Sequence, residues 1–101
     1  MPTSLEVNGK VGRIILTGVF DFSVQDNFRQ TIKNALNDET IKEIKVDMEA
    51  VTFMDSSAIS LLLHLHEKAS AQGKPVTLIN CHDPIREIFS IGGFDNILTI
   101  I

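Results

Sequence analysis

The residues best suited to chemistry form one short cluster, Asp55-Ser56-Ser57, where an apolar stretch ending in Phe53-Met54 gives way to the leucine-rich ISLLLHL. Asp and Ser are favoured helix N-caps, because their side-chain oxygens accept hydrogen bonds from the backbone N–H groups that a first turn leaves unpaired. One cap needs one residue, so three in succession are more than capping requires. A surplus hydroxyl at a helix start lies where the dipole and the free N–H groups tolerate a phosphate. Two readings of the triplet follow: a helix cap and nothing more, or a cap beside a serine open to modification. A hydrolase nucleophile fits less well, since there is no G-x-S-x-G elbow and no base–orienter pairing accompanies the serines.

Other chemistry-bearing residues form no constellation. His64 and His66 are two apart on an expected helix and point in different directions, so they do not make a metal pair of the i, i+4 kind. Cys81-His82 has no second ligand pair, and neither a glycine-rich phosphate loop nor a dinucleotide fingerprint is present. The expectation is no catalytic residue, no metal, no cofactor and no enzymatic activity. Asp21, in LTGVFDFS, ends a predicted strand whose C-terminal edge should lie beside the Asp55 turn, because parallel α/β sheets gather their post-strand loops at one end; it is either a plain turn residue or part of that site.

A chain of 101 residues with 44% hydrophobic content suits one domain over residues 1–101, able at that size to bury about two-thirds of its unfolded surface. The formal charge of −4 offers no cationic footprint and argues against nucleic acid. Cys81 alone forms no internal disulfide. The start MPTSLEVNGK has no apolar segment behind a basic one, and every apolar run falls short of a membrane span. These features predict a cytoplasmic protein without a membrane partner.

The elements that must position the triplet begin with a hairpin over residues 4 to 20, where Asn8-Gly9 supplies the positive φ values of a type I′ turn. Ser23 is the expected cap of a first helix from Val24 to Asn37. Asp26 stands in capping-box position, and Val24, Phe28, Ile32, Ala35 and Leu36 recur at helical spacing. In KEIKVDM, Ile44, Val46 and Met48 alternate with Lys45 and Asp47, which predicts a strand with one buried and one wet face. A second helix runs from Ser57 to Ala71 and is ended by Gly73, and PVTLIN is the next strand. A third helix has Asp83 as cap and Pro84 at N1, Gly92-Gly93 stops it, and NILTII closes the chain as a short strand. Helices alternating with strands after a hairpin predict an α/β domain built of right-handed βαβ units. Its sheet is mostly parallel, with helices mainly on one face. Most of Ile59, Leu61, Leu62, Leu63 and Leu65 are core, while Ser60, His64 and Lys68 form the polar edge of the second helix.

With LTGVFD at 16 to 21, VDMEAVTFMDSSAI at 46 to 59 and DPIREIFSIGGFDNIL at 83 to 98, the sequence resembles the anti-sigma-factor antagonists, small proteins built on the STAS domain. The resemblance implies a STAS-like fold and assigns phosphorylation to Ser56, the serine directly after the aspartate. It places Asp21 beside that site, with Asp55, Ser57 and Ser60 as further members of a partner-binding switch. The implied function is partner switching in transcription regulation. The unphosphorylated protein binds an anti-sigma factor, typically a serine kinase of the ATPase type, and frees the sigma factor. Phosphorylation ends the complex, and a metal-dependent serine phosphatase restores it. Two positions depart from the common pattern: Ala58 replaces a frequent glycine, and Val19 replaces an acidic residue. The alternatives are a non-switching STAS module in a transporter or signalling assembly, and a small-molecule-binding or catalytic α/β domain.

Overall fold

The structure is a computed structural model that describes residues 3–101, apart from the side chain of Phe22; Met1 and Pro2 of the expected 1–101 domain lie outside the described residues. Strands β1 (Thr3–Asn8) and β2 (Val11–Phe20) form the expected antiparallel hairpin. The turn is not the expected one. Asn8 pairs with Val11, so the loop is Gly9-Lys10, and within it only Gly9 has a positive φ, 64°. One left-handed residue in the first loop position is the pattern of a type II′ turn rather than the I′ turn read from Asn8-Gly9.

A 3-10 turn (Phe22–Val24) leads into α1 (Gln25–Asn37). Then come β3 (Glu43–Met54), α2 (Ser56–Ala71), β4 (Val76–Ile79), α3 (Asp83–Ile91), a second 3-10 turn (Phe94–Asn96) and β5 (Thr99–Ile100). The five strands form one sheet in the order β1-β2-β3-β4-β5, parallel everywhere after the hairpin. Right-handed crossovers between parallel neighbours taken in chain order put the three helices on the same face. Between helices and sheet lies one core, with Ile14, Leu16, Ile44 and Val46 facing Phe28, Leu62, Leu65 and Phe89. Each such side chain contributes roughly 1.5–3 kcal/mol by leaving water. Phe20, at the end of β2, meets Phe28 of α1 edge to face with ring centroids 4.8 Å apart, which fastens the helix entry beneath Asp21.

β3 continues to Met54, beyond the Met48 at which the alternation of KEIKVDM ends. Its pairing with β2 steps from Ile15↔Asp47 to Thr17↔Ala50 and again from Gly18↔Val51 to Val19↔Phe53, so β3 holds an extra residue twice. Each bulge breaks the period of two, yet Val51 and Met54 still reach the core. The wet face expected for Asp47 is corrected as well. Asp47 is only 4% exposed. Its carboxylate pairs with Arg13 of β2 and accepts from the Asn80 side chain at 3.1 Å and the Glu49 N–H at 3.0 Å. Burial pushes its pKa up, but the Glu49 N–H, Arg13 and Asn80 outweigh burial and hold the carboxyl below the usual range.

The helix ends also depart from expectation in part. α1 has Val24 at its cap position, with no side-chain cap bond, so neither Ser23 nor Asp26 caps it. α3 starts at Asp83, which makes His82 the cap residue and Asp83 the first helical one. α2 ends as expected: Gly73 takes φ 72°, its N–H donates to Ser70 O at 3.0 Å, and Lys74 N–H donates to Ala69 O at 2.9 Å. The Lys74 side chain is buried, and its Nζ donates to the carbonyls of Leu36 (3.0 Å), Asp38 (3.2 Å) and Ala35 (3.4 Å). A cation from the turn after α2 thus completes the C-terminus of α1.

Asp47→Ala is expected to lower the unfolding free energy by about 2 kcal/mol, since it removes charge-assisted bonds to groups on three strands or their ends. Because the folded state holds this carboxyl below its unfolded value, its contribution is complete above about pH 5 and is lost as pH falls through the unfolded and then the lower folded pKa. Urea unfolding from pH 7 to pH 2 checks both: the wild-type advantage over Asp47→Ala should shrink toward the acid end.

Candidate functional site

Parallel β2 and β3 end side by side, with Phe20 in register with Met54, and the Asp55 N–H donates to Phe20 O at 3.4 Å. The two post-strand turns, Asp21 and Asp55-Ser56, are therefore brought together at the C-terminal end of the sheet, as the sequence predicted. In the first turn the Asp21 carboxylate accepts from both the hydroxyl and the N–H of Ser23, the latter at 2.9 Å, and Asp21 O accepts from Val24 N–H at 3.2 Å. The aspartate thus shapes the entry to α1 that was assigned to Ser23. These Ser23 bonds, the hydroxyl first, hold the Asp21 carboxyl below its ordinary pKa, so it is an anion at neutral pH.

In the second turn Asp55 has extended backbone angles (φ −107°, ψ −178°), and its carboxylate accepts from Ala58 N–H at 3.0 Å. Asp55 is the cap, and α2 starts one residue earlier than expected, at Ser56. Ser56 is exposed at the first helical position, and among the described residues nothing hydrogen-bonds its hydroxyl. Ser57 is half-buried and Ser60 exposed; both face a groove between α1 and α2.

An apolar contribution to this corner escaped the sequence reading. Val19 and Phe53 are register partners on β2 and β3, 48% and 53% exposed, one step before the two turns. Because the second bulge lies between Gly18 and Val19, no simple alternation along the sequence reveals their shared edge. The remaining candidates stand apart. His64 is the exception, exposed on the groove side of α2 with Ser57 and Ser60; His66 is half-buried, and the His82 ring donates to Val51 O at 2.8 Å. Burial pushes the Cys81 thiol up to about 11, which leaves it protonated and a weak nucleophile. Among the described residues no three His, Cys, Asp or Glu side chains are grouped to hold a metal ion.

Residues 3–101 match the STAS domain family. The chain belongs to that family. A STAS-domain containing protein of Pseudomonas aeruginosa is 30% identical over 93 residues, which are 92% of this chain and 90% of that one. The anti-sigma factor antagonist SpoIIAA in its unphosphorylated form matches with a TM-score of 0.76 at 25% identity, over 98% of this chain and 86% of its own. The phosphorylated form of SpoIIAA, the Bacillus cell fate determinant, matches with a TM-score of 0.73 at 26% identity, over 98% and 90%. A sulfate transporter family protein from Wolinella succinogenes shares the fold, with a TM-score of 0.79 at 22% identity over 92% of this chain and 75% of its own. The mixed five-stranded sheet with three helices is the STAS fold.

Asp55→Ala is expected to cost about 1 kcal/mol through loss of the cap, whereas Asp55→Asn, which keeps an acceptor, should cost only a fraction of that. Thermal unfolding followed by circular dichroism checks the order of the two variants; equal losses would show that the Ala58 N–H bond is not what Asp55 contributes.

Proposed function

We propose that this STAS domain protein is a cytoplasmic anti-sigma factor antagonist that acts by partner switching, a binding module and not an enzyme. Unphosphorylated, it binds an anti-sigma factor that is also a serine kinase; phosphorylation of Ser56 ends that binding, and a serine phosphatase renews it. The observation that carries this reading is the division of labour at the start of α2. Asp55 supplies the cap, so the Ser56 hydroxyl is exposed and not engaged in holding the helix. The similarity to SpoIIAA, whose structure exists in phosphorylated and unphosphorylated forms, supports it. Among the described residues no helix is long and apolar enough to cross a membrane.

The chemistry of the switch is local. A phosphoserine adds about −1.5 to −2 charges and three acceptor oxygens, here beside the carboxylates of Asp21 and Asp55. A partner surface docked on this corner then meets like charge and added desolvation. Asp21, Asp55, Ser57 and Ser60 around Ser56 compose the docking face in this reading, and Val19 and Phe53 adjoin it at the ends of the two strands. The second reading, a non-switching STAS module in a transporter, is favoured by the shared fold of the Wolinella succinogenes protein. A pull-down that returns a transporter ATPase in place of a kinase would decide for it.

Incubation with the cognate kinase and ATP should add one phosphate, absent in Ser56→Ala and retained in Ser57→Ala, as read by intact-mass spectrometry. Circular dichroism of the phosphoprotein should show unchanged helix content, since a phosphate at a helix N-terminus is electrostatically favoured. In calorimetric titrations with the partner, Ser56→Asp and Ser60→Glu should each weaken binding at least tenfold. Lys45→Glu, at a half-buried position on the helix-free face of the sheet, should change it less than twofold, because charges remote from the docking face are screened within roughly 8–10 Å at physiological salt. Equal losses from Ser60→Glu and Lys45→Glu would move the docking face elsewhere.

A further inference from the structure

α1 and α2 run side by side in the same direction, because each follows a parallel strand and returns to the next. Between them is an open groove of about 670 Å³. Its apolar lining comes from Ile32 and Leu36 of α1 and Leu61 of α2, and its cations are Arg29, Lys33 and Lys68. On α2, Ser57, Ser60, Leu61, His64 and Lys68, continued by Gln72 just after the helix, recur at the three- and four-residue spacing of one helix face, so the groove follows the helices along their length.

The charges are segregated. In a chain of net charge −4, three of the 9 Lys and Arg residues line this groove and none of the 13 Asp and Glu residues does. All three cations are exposed, whereas Ile32 and Leu61 are buried and Leu36 is partly buried. An apolar floor between two cationic rims is complementary to a rod that is apolar along one side and anionic along its flanks. A small anionic amphiphile fits less well: ligand sites typically enclose roughly 70–90% of a small molecule, and this groove is open along its top. A helix of about 10 Å diameter bridges both walls and covers Leu36, the partly open residue of the apolar floor.

We propose that the groove between α1 and α2 holds an acidic amphipathic helix of the partner, with apolar side chains on Ile32, Leu36 and Leu61 and carboxylates on Arg29, Lys33 and Lys68. The assignment rests on the switch reading in one respect: the helix belongs to the partner that Ser56 controls. Ser57, the residue after Ser56, lines the groove at the end where α2 begins. A phosphate on Ser56 places like charge at the mouth of a site built for an anion, which gives the switch a long lever on binding.

The test uses two fluorescein-labelled helical peptides of about 16 residues with identical leucine stripes, one flanked by glutamates and one by lysines. Anisotropy titrations with the full chain should show the acidic peptide binding at least tenfold tighter than the basic one, an advantage that falls as salt rises from 50 mM to 500 mM. Arg29→Glu/Lys68→Glu should reverse the preference, and amide chemical-shift changes should cluster on α1 and α2. Equal binding of the two peptides, no saturable binding of the acidic one at 1 mM, or shift changes on the opposite sheet face would overturn the proposal. So would dodecanoate that displaces the acidic peptide and binds more tightly, which would give the groove to a fatty carboxylate. Ser56→Asp reads the other claim separately. A tenfold loss of acidic-peptide affinity in that variant supports the link to the switch; unchanged affinity, with the Arg29/Lys68 reversal still effective, leaves the groove standing and overturns the switch.

Discussion

The carboxylate of Asp47 is the constraint on which the geometry of the domain depends. It sits where β3 first departs from regular pairing, and it binds Arg13 of β2, the side chain of Asn80 after β4 and the Glu49 N–H within the bulge. A bulge leaves an unpaired backbone group and a local bend; here one side chain satisfies the N–H and ties the bend to both neighbouring strands. Beyond it β3 stays in the sheet as far as Met54, and that extension sets Asp55 against Phe20 O. The proximity of the Asp21 and Ser56 turns is therefore a product of buried electrostatics several residues upstream. Sheet register, not a contact between the turns' own side chains, brings them together.

Much of this was legible in the sequence, for physical reasons that can be named. The alternation of Ile44, Val46 and Met48 marks a half-buried strand, Gly73 marks the end of α2, and the order of elements implies that successive post-strand loops share one end of the sheet. Asp21 and Asp55 could thus be placed near each other without coordinates. What the sequence hid is non-local. Whether Asp47 faces water depends on Arg13 and Asn80, each more than thirty positions away. Which of Asp21 and Ser23 shapes the entry to α1 depends on a 3-10 turn that helical periodicity does not mark. The bulges that bring Val19 opposite Phe53 leave no mark in a pattern read two residues at a time. The polar edge of α2 was readable as Ser60, His64 and Lys68, but its cationic counterpart on α1, Arg29 and Lys33, acquires meaning only when the two helices lie together.

The opening of α2 shows how a modifiable residue is kept apart from the stability of the element that carries it. A serine that capped its own helix would exchange one acceptor for a bulkier, charged one on modification, and the helix would bear the consequence. With Asp55 bonded to the Ala58 N–H, the first turn is already satisfied. The neighbouring hydroxyl changes the surface without entering the backbone accounting of the helix.

Lys74 gives the helical layer a mechanical asymmetry. Its ammonium, buried among the carbonyls of Ala35, Leu36 and Asp38, stitches the closing turn of α1 to the loop that leaves α2, so these two ends are bound like the spine of a book. At the opposite ends the helices meet through the Asp21 and Asp55 turns, which are joined by one long backbone bond. The side-chain tie between the two covers thus lies at the spine, at the end of the helical pair farthest from Ser56.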